Sequence, residues 1–259
     1  MKDSQKNPQK YYVPALEKGL DILEVLASSS APQSLSELAR RLSRTSSELF
    51  RMLNALEKRG YIEREPVSGK YGLTLRLYEL AHTHSPVEKM LRAASIPMRT
   101  LAESIKESCH ISTLDSERLV VLAQAESPEV FRFSVEVGST FSPAHTASGR
   151  LLLAHLKEAE LRHFCETSED YCRLSSVAKA KLPGRLEEIR QKGVSMARNE
   201  PVIGVRAFAV LVGNPEIDIM AALAVASLDI RGRKDKSRKI IRGLQAAALE
   251  INGAIGLRL

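Results

Sequence analysis

The stretch of sequence that decides the fold is residues 35–76, LSELARRLSRTSSELFRMLNALEKRGYIEREPVSGKYGLTLR. Its apolar spacing predicts two short amphipathic helices with a tight polar turn between them. Two short alternating segments then flank a Pro/Gly loop, which indicates a β-hairpin. A helix, a turn, a second helix and a hairpin form the outline of a winged helix-turn-helix, a module that places one helix in the DNA major groove.

Two capping signals mark where these helices begin. Ser34 and Glu37 form a capping-box pattern before the first helix, and Thr45 and Glu48 repeat the pattern before the second. Gly60 is well placed to end the second helix, since glycine favours the position after a helix C-terminus. The two helices are therefore expected to lie close together in the chain.

The N-terminal residues of the second helix are expected to contact DNA. Arginine can hold guanine through two hydrogen bonds, phenylalanine can touch a thymine methyl group, and serine or threonine can reach phosphates or bases. Cations on the wing would contact the phosphate backbone. The candidate DNA-binding residues are Ser36, Thr45, Ser46, Ser47, Glu48, Phe50, Arg51, Asn54, Arg64 and Lys70.

Each of these assignments has a structural alternative. Thr45 and Glu48 can serve only as a helix cap, because a carboxylate facing phosphate opposes binding unless it accepts from a cytosine amino group. Phe50 can pack against the wing. The same helix and hairpin arrangement also occurs in modules that bind proteins.

Composition places few limits on function. The chain has 259 residues, of which 44% are hydrophobic and 27% charged, and its net charge of +7 suits a polyanionic partner without requiring one. Three cysteines are too few for a disulfide scaffold. No apolar run approaches the roughly 18 residues of a membrane span. We expect a soluble cytoplasmic protein without membrane contact.

The chain is expected to hold four parts. Residues 1–13 are predicted to form a flexible polar arm, residues 14–85 the winged helix-turn-helix, residues 86–108 a linker helix and residues 109–259 a second domain. A proline in the middle of the linker, Pro97, is expected to kink the helix or to split it into two.

The second domain is predicted to mix strands and helices. The segments HISTLD, ERLVVLAQAE, VFRFSVEV, VSMAR, GVRAFAVLV and IMAALAVAS have the pattern of strands. The last two are apolar almost throughout, as in a sheet buried on both faces. Helices are predicted at residues 145–166, 178–192 and 234–256.

The whole chain resembles the IclR family of bacterial transcription regulators. In the first domain the resemblance is carried by ALEKGLDILEVLA (15–27), LSELARRL (35–42), FRMLNALEKRGYIER (50–64) and GKYGLTLRLYELA (69–81). In the second domain it is carried by GSTFSPAHTASGRLLLA (138–154) and LEEIRQKGVSMARNEPVIGVRAFAVLV (186–212).

The resemblance implies a fold and a function. The fold is α+β, with an N-terminal winged helix-turn-helix joined by a linker helix to a GAF-like effector-binding domain. The first domain would bind a double-stranded DNA operator and the second a small organic effector. The chain would form a homodimer or tetramer and regulate catabolic genes, with repression favoured over activation.

Two departures from the family pattern limit what transfers. The turn before the second helix, Ser43–Glu48, lacks the usual Gly-x-Pro-Lys-Ser-Thr-like run, so the operator preference does not carry over. In members that bind small oxo-acids, polar ligands come from positions that correspond to Ala197, Ala207, Ala224 and Ala226. The ligand roles of these four positions do not transfer either.

The four alanines suggest a larger or less polar effector, such as a lactone, a sugar acid or an aromatic acid. Other groups would then hold it, and the full set of predicted pocket residues is His145, Thr146, Ala147, Ser148, Ala197, Arg198, Asn199, Ala207, Ala224 and Ala226. The alternative is that these alanines are core packing around a pocket that binds nothing.

No metal, cofactor or catalytic residue is predicted. His82 and His84 would lie on different faces of a helix, and His163 with two cysteines, Cys165 and Cys172, lacks a fourth ligand. The neighbours Cys109 and His110 would point to opposite faces of a strand, so they would not form a catalytic pair. Phosphate-binding, dinucleotide and hydrolase motifs are also missing from the sequence.

The cation-rich stretch Arg231–Lys239 is interpreted as a solvated loop and helix start, with a second nucleic-acid contact as the alternative. The sequence as a whole predicts a ligand-controlled DNA-binding regulator that is not an enzyme. The competing hypothesis is a small-molecule sensor whose winged helix binds protein.

Overall fold

The computed structural model of the protein describes residues 13–82, 86–215, 219–228 and 234–257. The chain divides into two compact units, Met1–Ser85 and Pro86–Leu259. Residues 1–12 of the predicted arm, His84 and the first residues of the Arg231–Lys239 stretch lie outside the described residues. None of the helices in the described part is long and apolar enough to cross a membrane.

The first unit is a winged helix-turn-helix. Its strands pair antiparallel, with Ile62 opposite Leu73, and this confirms the predicted hairpin. Its core is built from apolar side chains of the helices and both strands, including Ile22, Leu38 and Leu49. The elements are α1 (Pro14–Ala27), α2 (Leu35–Arg41), α3 (Ser46–Lys58), β1 (Ile62–Arg64), β2 (Tyr71–Leu73) and α4 (Arg76–His82).

Both predicted capping boxes are present. The Ser34 hydroxyl accepts the Glu37 backbone N–H, and the Glu37 carboxylate accepts the Ser34 N–H at 2.7 Å. Thr45 and Glu48 make the same reciprocal pair, with the Thr45 N–H donating to the Glu48 carboxylate at 3.0 Å. Each box satisfies backbone donors that a helix N-terminus otherwise leaves free, so the start of α3 is fixed locally.

The second unit is built on one antiparallel sheet of six strands, in the order β5-β4-β3-β8-β7-β6. A short 3-10 turn at Pro143–His145 precedes α6. The elements are α5 (Pro86–Ile105), β3 (Cys109–Asp115), β4 (Arg118–Ala125), β5 (Thr140–Phe141), α6 (Ala147–His155), α7 (Glu158–Thr167), α8 (Glu169–Cys172), α9 (Ser176–Lys192), β6 (Val194–Arg198), β7 (Val205–Asn214), β8 (Ile219–Leu228) and α10 (Lys234–Ala254).

Helices cover both faces of this sheet. On one face α5 and α10 pack against large apolar side chains such as Phe208 and Leu223. On the other face α6 and α9 pack against small ones such as Ala209 and Ala222. The strands β7 and β8 are therefore buried on both sides, as their apolar sequences predicted.

Two local predictions about the second unit were wrong, and for Pro97 one of the two predicted alternatives is excluded. The segment VFRFSVEV is not a strand, because residues 127–139 leave the sheet after β4 and return only at β5. The predicted helix 145–166 is two helices, α6 and α7, interrupted at Leu156 and Lys157. Pro97 lies inside a continuous α5 and does not split it.

Candidate nucleic-acid interface and ligand cavity

The outward side of α3 carries a continuous stripe of exposed residues. Ser47, Phe50, Arg51, Asn54 and Lys58 recur at a spacing of three or four residues, which places them along one side of a helix. The inward side buries Leu49 and Leu53 in the core. The stripe, which we call the α3 face, has two cations and no carboxylate.

Thr45 and Glu48 are engaged in holding α3 in place. In addition to the capping box, the Glu48 carboxylate accepts from Lys18 of α1 at 2.9 Å. The Thr45 backbone N–H, followed by the Lys18 ammonium, lowers the pKa of Glu48 to about 2. The carboxylate is thus ionised at neutral pH and already paired with a cation.

The other predicted DNA contacts are accessible to different degrees. Ser36 on α2 and Ser46 at the start of α3 are exposed, and Phe50 is 47% exposed. Arg64 donates to the Gly69 carbonyl at 3.2 Å and its guanidinium lies 5.6 Å from the centre of the Tyr71 ring. Lys70 beside it is half-buried.

The second unit contains a cavity of about 270 Å³ between the sheet and the first turn of α6. Its lining is mostly apolar, with the rings of Phe133 and Phe141 among the largest contributors. Two carboxylates, Glu136 and Glu200, also border it. The uncharged polar residues of the lining are His110, Ser134, Ser139, Thr146 and Ser148.

The sheet register explains why there is room for a cavity. Residues directly opposite each other on antiparallel strands share a face, and Ala207 lies opposite both Ala197 and Ala226. In the next row Ala224 lies opposite Ala209 and His110. Five of the residues in these two rows are therefore alanines, which leaves space between the sheet and α6 beside His110.

The small side chains also let α6 lie deep in the unit. Every residue from Ala147 to Ala154 is buried. At Gly149 the helix meets the backbone of Pro143 so closely that an added Cβ would overlap with it. The first turn of α6 is held against the cavity by this close packing, and Thr146 caps it by accepting the Gly149 N–H at 3.0 Å.

Six of the ten residues predicted for the pocket line this cavity, and four lie elsewhere. Ala197 and Arg198 are on the outer strand β6 and border a separate groove beside α9. His145 is exposed at the end of the 3-10 turn. Asn199 has a positive φ of 60° and accepts the Gly204 N–H at 2.9 Å, so it shapes the β6–β7 turn. The six lining residues are Thr146, Ala147, Ser148, Ala207, Ala224 and Ala226.

Sequence reasoning missed His110. Cys109 and His110 do point to opposite faces, since the Cys109 thiol donates to the Met98 carbonyl at 3.3 Å on the α5 side while His110 lines the cavity. Burial lowers the pKa of His110 to about 4, so the imidazole is neutral at physiological pH. The sequence did contain a signal for this position. Side chains alternate along a strand, so Cys109 and His110 were expected on opposite faces, and the face of His110 is the one toward α6.

A buried arginine lies behind one wall of the cavity. Arg150 donates to the Glu200 carboxylate at 2.7 Å and to the Ala144 carbonyl at 3.0 Å, and its side chain is 4% exposed. Arg185 approaches the same carboxylate at 3.8 Å. Among the described residues, no group of three or more His, Cys, Asp or Glu side chains could hold a metal ion.

Comparison with protein families gives two matches that together span most of the chain. Residues 85–253 match the model of the bacterial transcriptional regulator IclR C-terminal domain, and residues 15–66 match the IclR helix-turn-helix domain. The chain belongs to the IclR family. It is a transcriptional regulator with an N-terminal DNA-binding domain and a C-terminal effector-binding domain.

Individual members of the IclR family match this chain in sequence over most of its length. It is 28% identical over 225 residues to the HTH-type transcriptional regulator KdgR of Escherichia coli, covering 86% of this chain and 85% of the relative. It is 25% identical over 246 residues to the regulator XynR of the same organism, covering 94% and 98%.

Solved structures of IclR-family proteins share the fold. An IclR homolog from Microbacterium hydrocarbonoxydans, complexed with 4-hydroxybenzoate, matches with a TM-score of 0.75 at 20% identity, covering 93% of this chain and 98% of the homolog. At this identity the likeness concerns the fold alone.

Proposed function

We propose that the α3 face enters the major groove of an operator and reads base edges with Arg51 and Asn54. Both side chains are exposed, and no hydrogen bond or ion pair engages either of them within the described residues. Arginine suits guanine and asparagine suits adenine, because each can make a bidentate pair there. Phe50 beside them would contact a thymine methyl, and Ser46 and Ser47 would contact phosphates.

Thr45 and Glu48 have a positioning role in this proposal. Their side chains are used in the cap and, for Glu48, in the pair with Lys18, which neutralises the carboxylate at the end of the helix that approaches phosphate. The cap keeps the first turn of α3 in one conformation. Ser36, Arg64 and Lys70 would contact the DNA backbone and set the register of the protein on the duplex.

The active species is proposed to be a homodimer or a tetramer. The first unit exposes apolar side chains on two helices, with Leu16 and Leu20 on α1 and Leu77, Tyr78 and Leu80 on α4. A seven-residue helix such as α4 is not stable without packing partners. A second copy would cover these side chains, and two copies of α3 would read a near-palindromic operator.

The cavity in the second unit is proposed to hold a small organic effector that controls DNA binding. We assign the linker role to residues 86–108 and the effector domain to 109–259, with the DNA-binding domain at 14–85. Effector binding changes operator affinity only if the conformation that binds DNA and the conformation that does not differ in their affinity for the effector. Repression of catabolic genes that are induced by the effector is the proposed outcome.

The exposed cationic α3 face carries this proposal, and salt-dependent operator binding tests it. An operator would be selected from random duplexes with the full chain, and its affinity measured by fluorescence anisotropy between about 50 and 200 mM salt. Phosphate contacts release counterions, so affinity should fall by a factor of about 10³ or more if six or more phosphates are contacted. Selection of no preferred sequence would contradict specific recognition.

A further inference from the structure

The cavity in the second unit has an unusual charge balance for a site expected to take organic acids. No lysine or arginine is among its lining residues, all of which belong to the described part of the chain, whereas Glu136 and Glu200 both border it. Arg150, which lies behind the wall, is already bound to Glu200. A carboxylate in the cavity would lose its hydration and meet no free cation.

The imidazole of His110 does not supply the missing positive charge. Its neighbours across the strands are Ala224 and Gln124, and of these two only Ala224 lines the cavity with it. Burial keeps its pKa at about 4, so at neutral pH it offers one N–H donor and one nitrogen acceptor. A neutral imidazole suits a carbonyl or hydroxyl group on a ligand.

The first turn of α6 also borders the cavity, at Ala147 and Ser148. Backbone N–H groups there have no partner within the helix and would donate to either a carbonyl oxygen or a carboxylate. The positive end of the helix by itself favours the carboxylate. The apolar walls and the two carboxylates of the lining oppose it, because burying an unpaired charge costs far more than burying a carbonyl that is hydrogen-bonded.

We propose that this cavity takes an uncharged, ring-sized organic molecule with a carbonyl or hydroxyl group, and rejects the ionised acid of the same skeleton. The inference rests on the proposed effector role and narrows it, since it favours a lactone over a sugar acid or an aromatic acid. A volume of about 270 Å³ lies at the lower end of ligand pockets, which suits a single substituted ring.

The test is calorimetric titration of the full chain with matched pairs of compounds. The pairs are δ-valerolactone with its ring-opened hydroxy acid, and 4-hydroxybenzamide with 4-hydroxybenzoate, at about pH 7 where both acids are ionised. We expect at least one neutral member to bind with a Kd below about 1 mM. This Kd should be lower than the Kd of the corresponding acid by roughly tenfold or more. The proposal is overturned if an acid binds as tightly as its neutral partner. It is also overturned if neither neutral compound binds.

Three variants connect the preference to the cavity. His110→Leu should weaken neutral-ligand binding roughly tenfold by removing one hydrogen bond, while His110→Gln should retain most of it. Gln124→Leu is the matched control, because Gln124 is the cross-strand neighbour of His110 but does not line the cavity. Equal loss in the His110→Leu and Gln124→Leu variants would contradict a ligand contact by His110.

Val202→Arg supplies the missing cation. Val202 lines the cavity and is 47% exposed, so an arginine there can reach the mouth without disturbing the core. We expect this variant to gain affinity for the acids, while an unchanged ranking of acid and neutral compounds would overturn the electrostatic argument. Operator binding is measured separately, so a chain that binds the neutral ligand but no DNA would contradict only the proposed regulatory role.

Discussion

The α3 face and the cavity are two binding surfaces of one chain that select their partners by opposite means. The α3 face is exposed, carries Arg51 and Lys58, and is kept in shape by a helix cap at its start. The cavity has mostly apolar walls, its lining has no lysine or arginine, and it is shaped by the packing of α6 on alanines. The first surface attracts a polyanion, and the second disfavours any anion.

The two regions also differ in how closely ligand binding is linked to the stability of the fold. Removing an exposed side chain from the α3 face would take away a proposed contact with DNA but leave the core intact. The buried walls of the cavity, such as Ala147 and Ala224, are themselves core, so changing them alters folding as well as binding. Four substitutions test this division, in order of decreasing effect.

The largest effect is expected at Gly149. Substitution of Gly149 by alanine places a Cβ against the Pro143 backbone, which cannot give way as a flexible side chain would, so we expect a loss of about 3 kcal/mol in the free energy of unfolding. Gly184→Ala is the matched control, since a Cβ there meets nothing within 4 Å and alanine favours the α9 helix. Urea unfolding measures both, and equal stability of the two variants would show that α6 tolerates displacement.

Arg51→Ala should weaken operator binding by roughly 1–3 kcal/mol and relax selectivity at one base position, if Arg51 reads guanine. The unfolding free energy should change by less than about 0.5 kcal/mol, because the side chain is exposed. Arg173→Ala removes the same charge from a surface pair with Glu169 in the second unit and should leave operator affinity unchanged. Matching affinities for the two variants would contradict base reading by Arg51.

His110 should make the stability of the chain depend on pH. The pKa of His110 is about 4 in the folded protein against an ordinary value of 6.5, so between these values the unfolded chain binds more protons. Stability therefore falls as the pH drops through this window. The fall should be about 1–3 kcal/mol smaller in His110→Gln than in the wild type, measured by urea unfolding at a series of pH values. If the unfolding free energies of the wild type and His110→Gln fall equally with pH, the imidazole is not buried in its neutral form.

The smallest effect is expected from the cap of α3. Thr45→Ala removes the side-chain acceptor for the Glu48 N–H and should cost about 1 kcal/mol of stability. Thr45→Ser keeps the hydroxyl and should cost little. If both variants keep wild-type stability but lose operator affinity, Thr45 contacts DNA directly and its capping role is secondary.

The sequence predicted the first unit better than the second because the signals for the first are local. The capping boxes at Ser34 and Thr45 and the hairpin around Ser68-Gly69 each depend on residues within a few positions of one another. The α3 face follows from helical spacing alone. These features were confirmed, while the DNA contacts assigned to them remain predictions.

The cavity depends on contacts between residues far apart in the chain. His110 lies beside Ala224 only because β3 pairs with β8, and spacing along the sequence does not reveal that pairing. The alternation in VFRFSVEV was mistaken for a strand. Consecutive residues from Phe133 to Glu136 line the cavity instead, and Phe131 is exposed, so the alternation does not correspond to a buried and an exposed face.

The alanine-covered face of the sheet has a consequence for how the ligand specificity of such a receptor can evolve. A single base substitution in an alanine codon can yield serine or threonine. Each of these would add one functional group to a strand such as β7 or β8 whose backbone pairing stays the same. A new specificity can then arise by adding an atom or two to a flat surface, without first dismantling an older set of contacts.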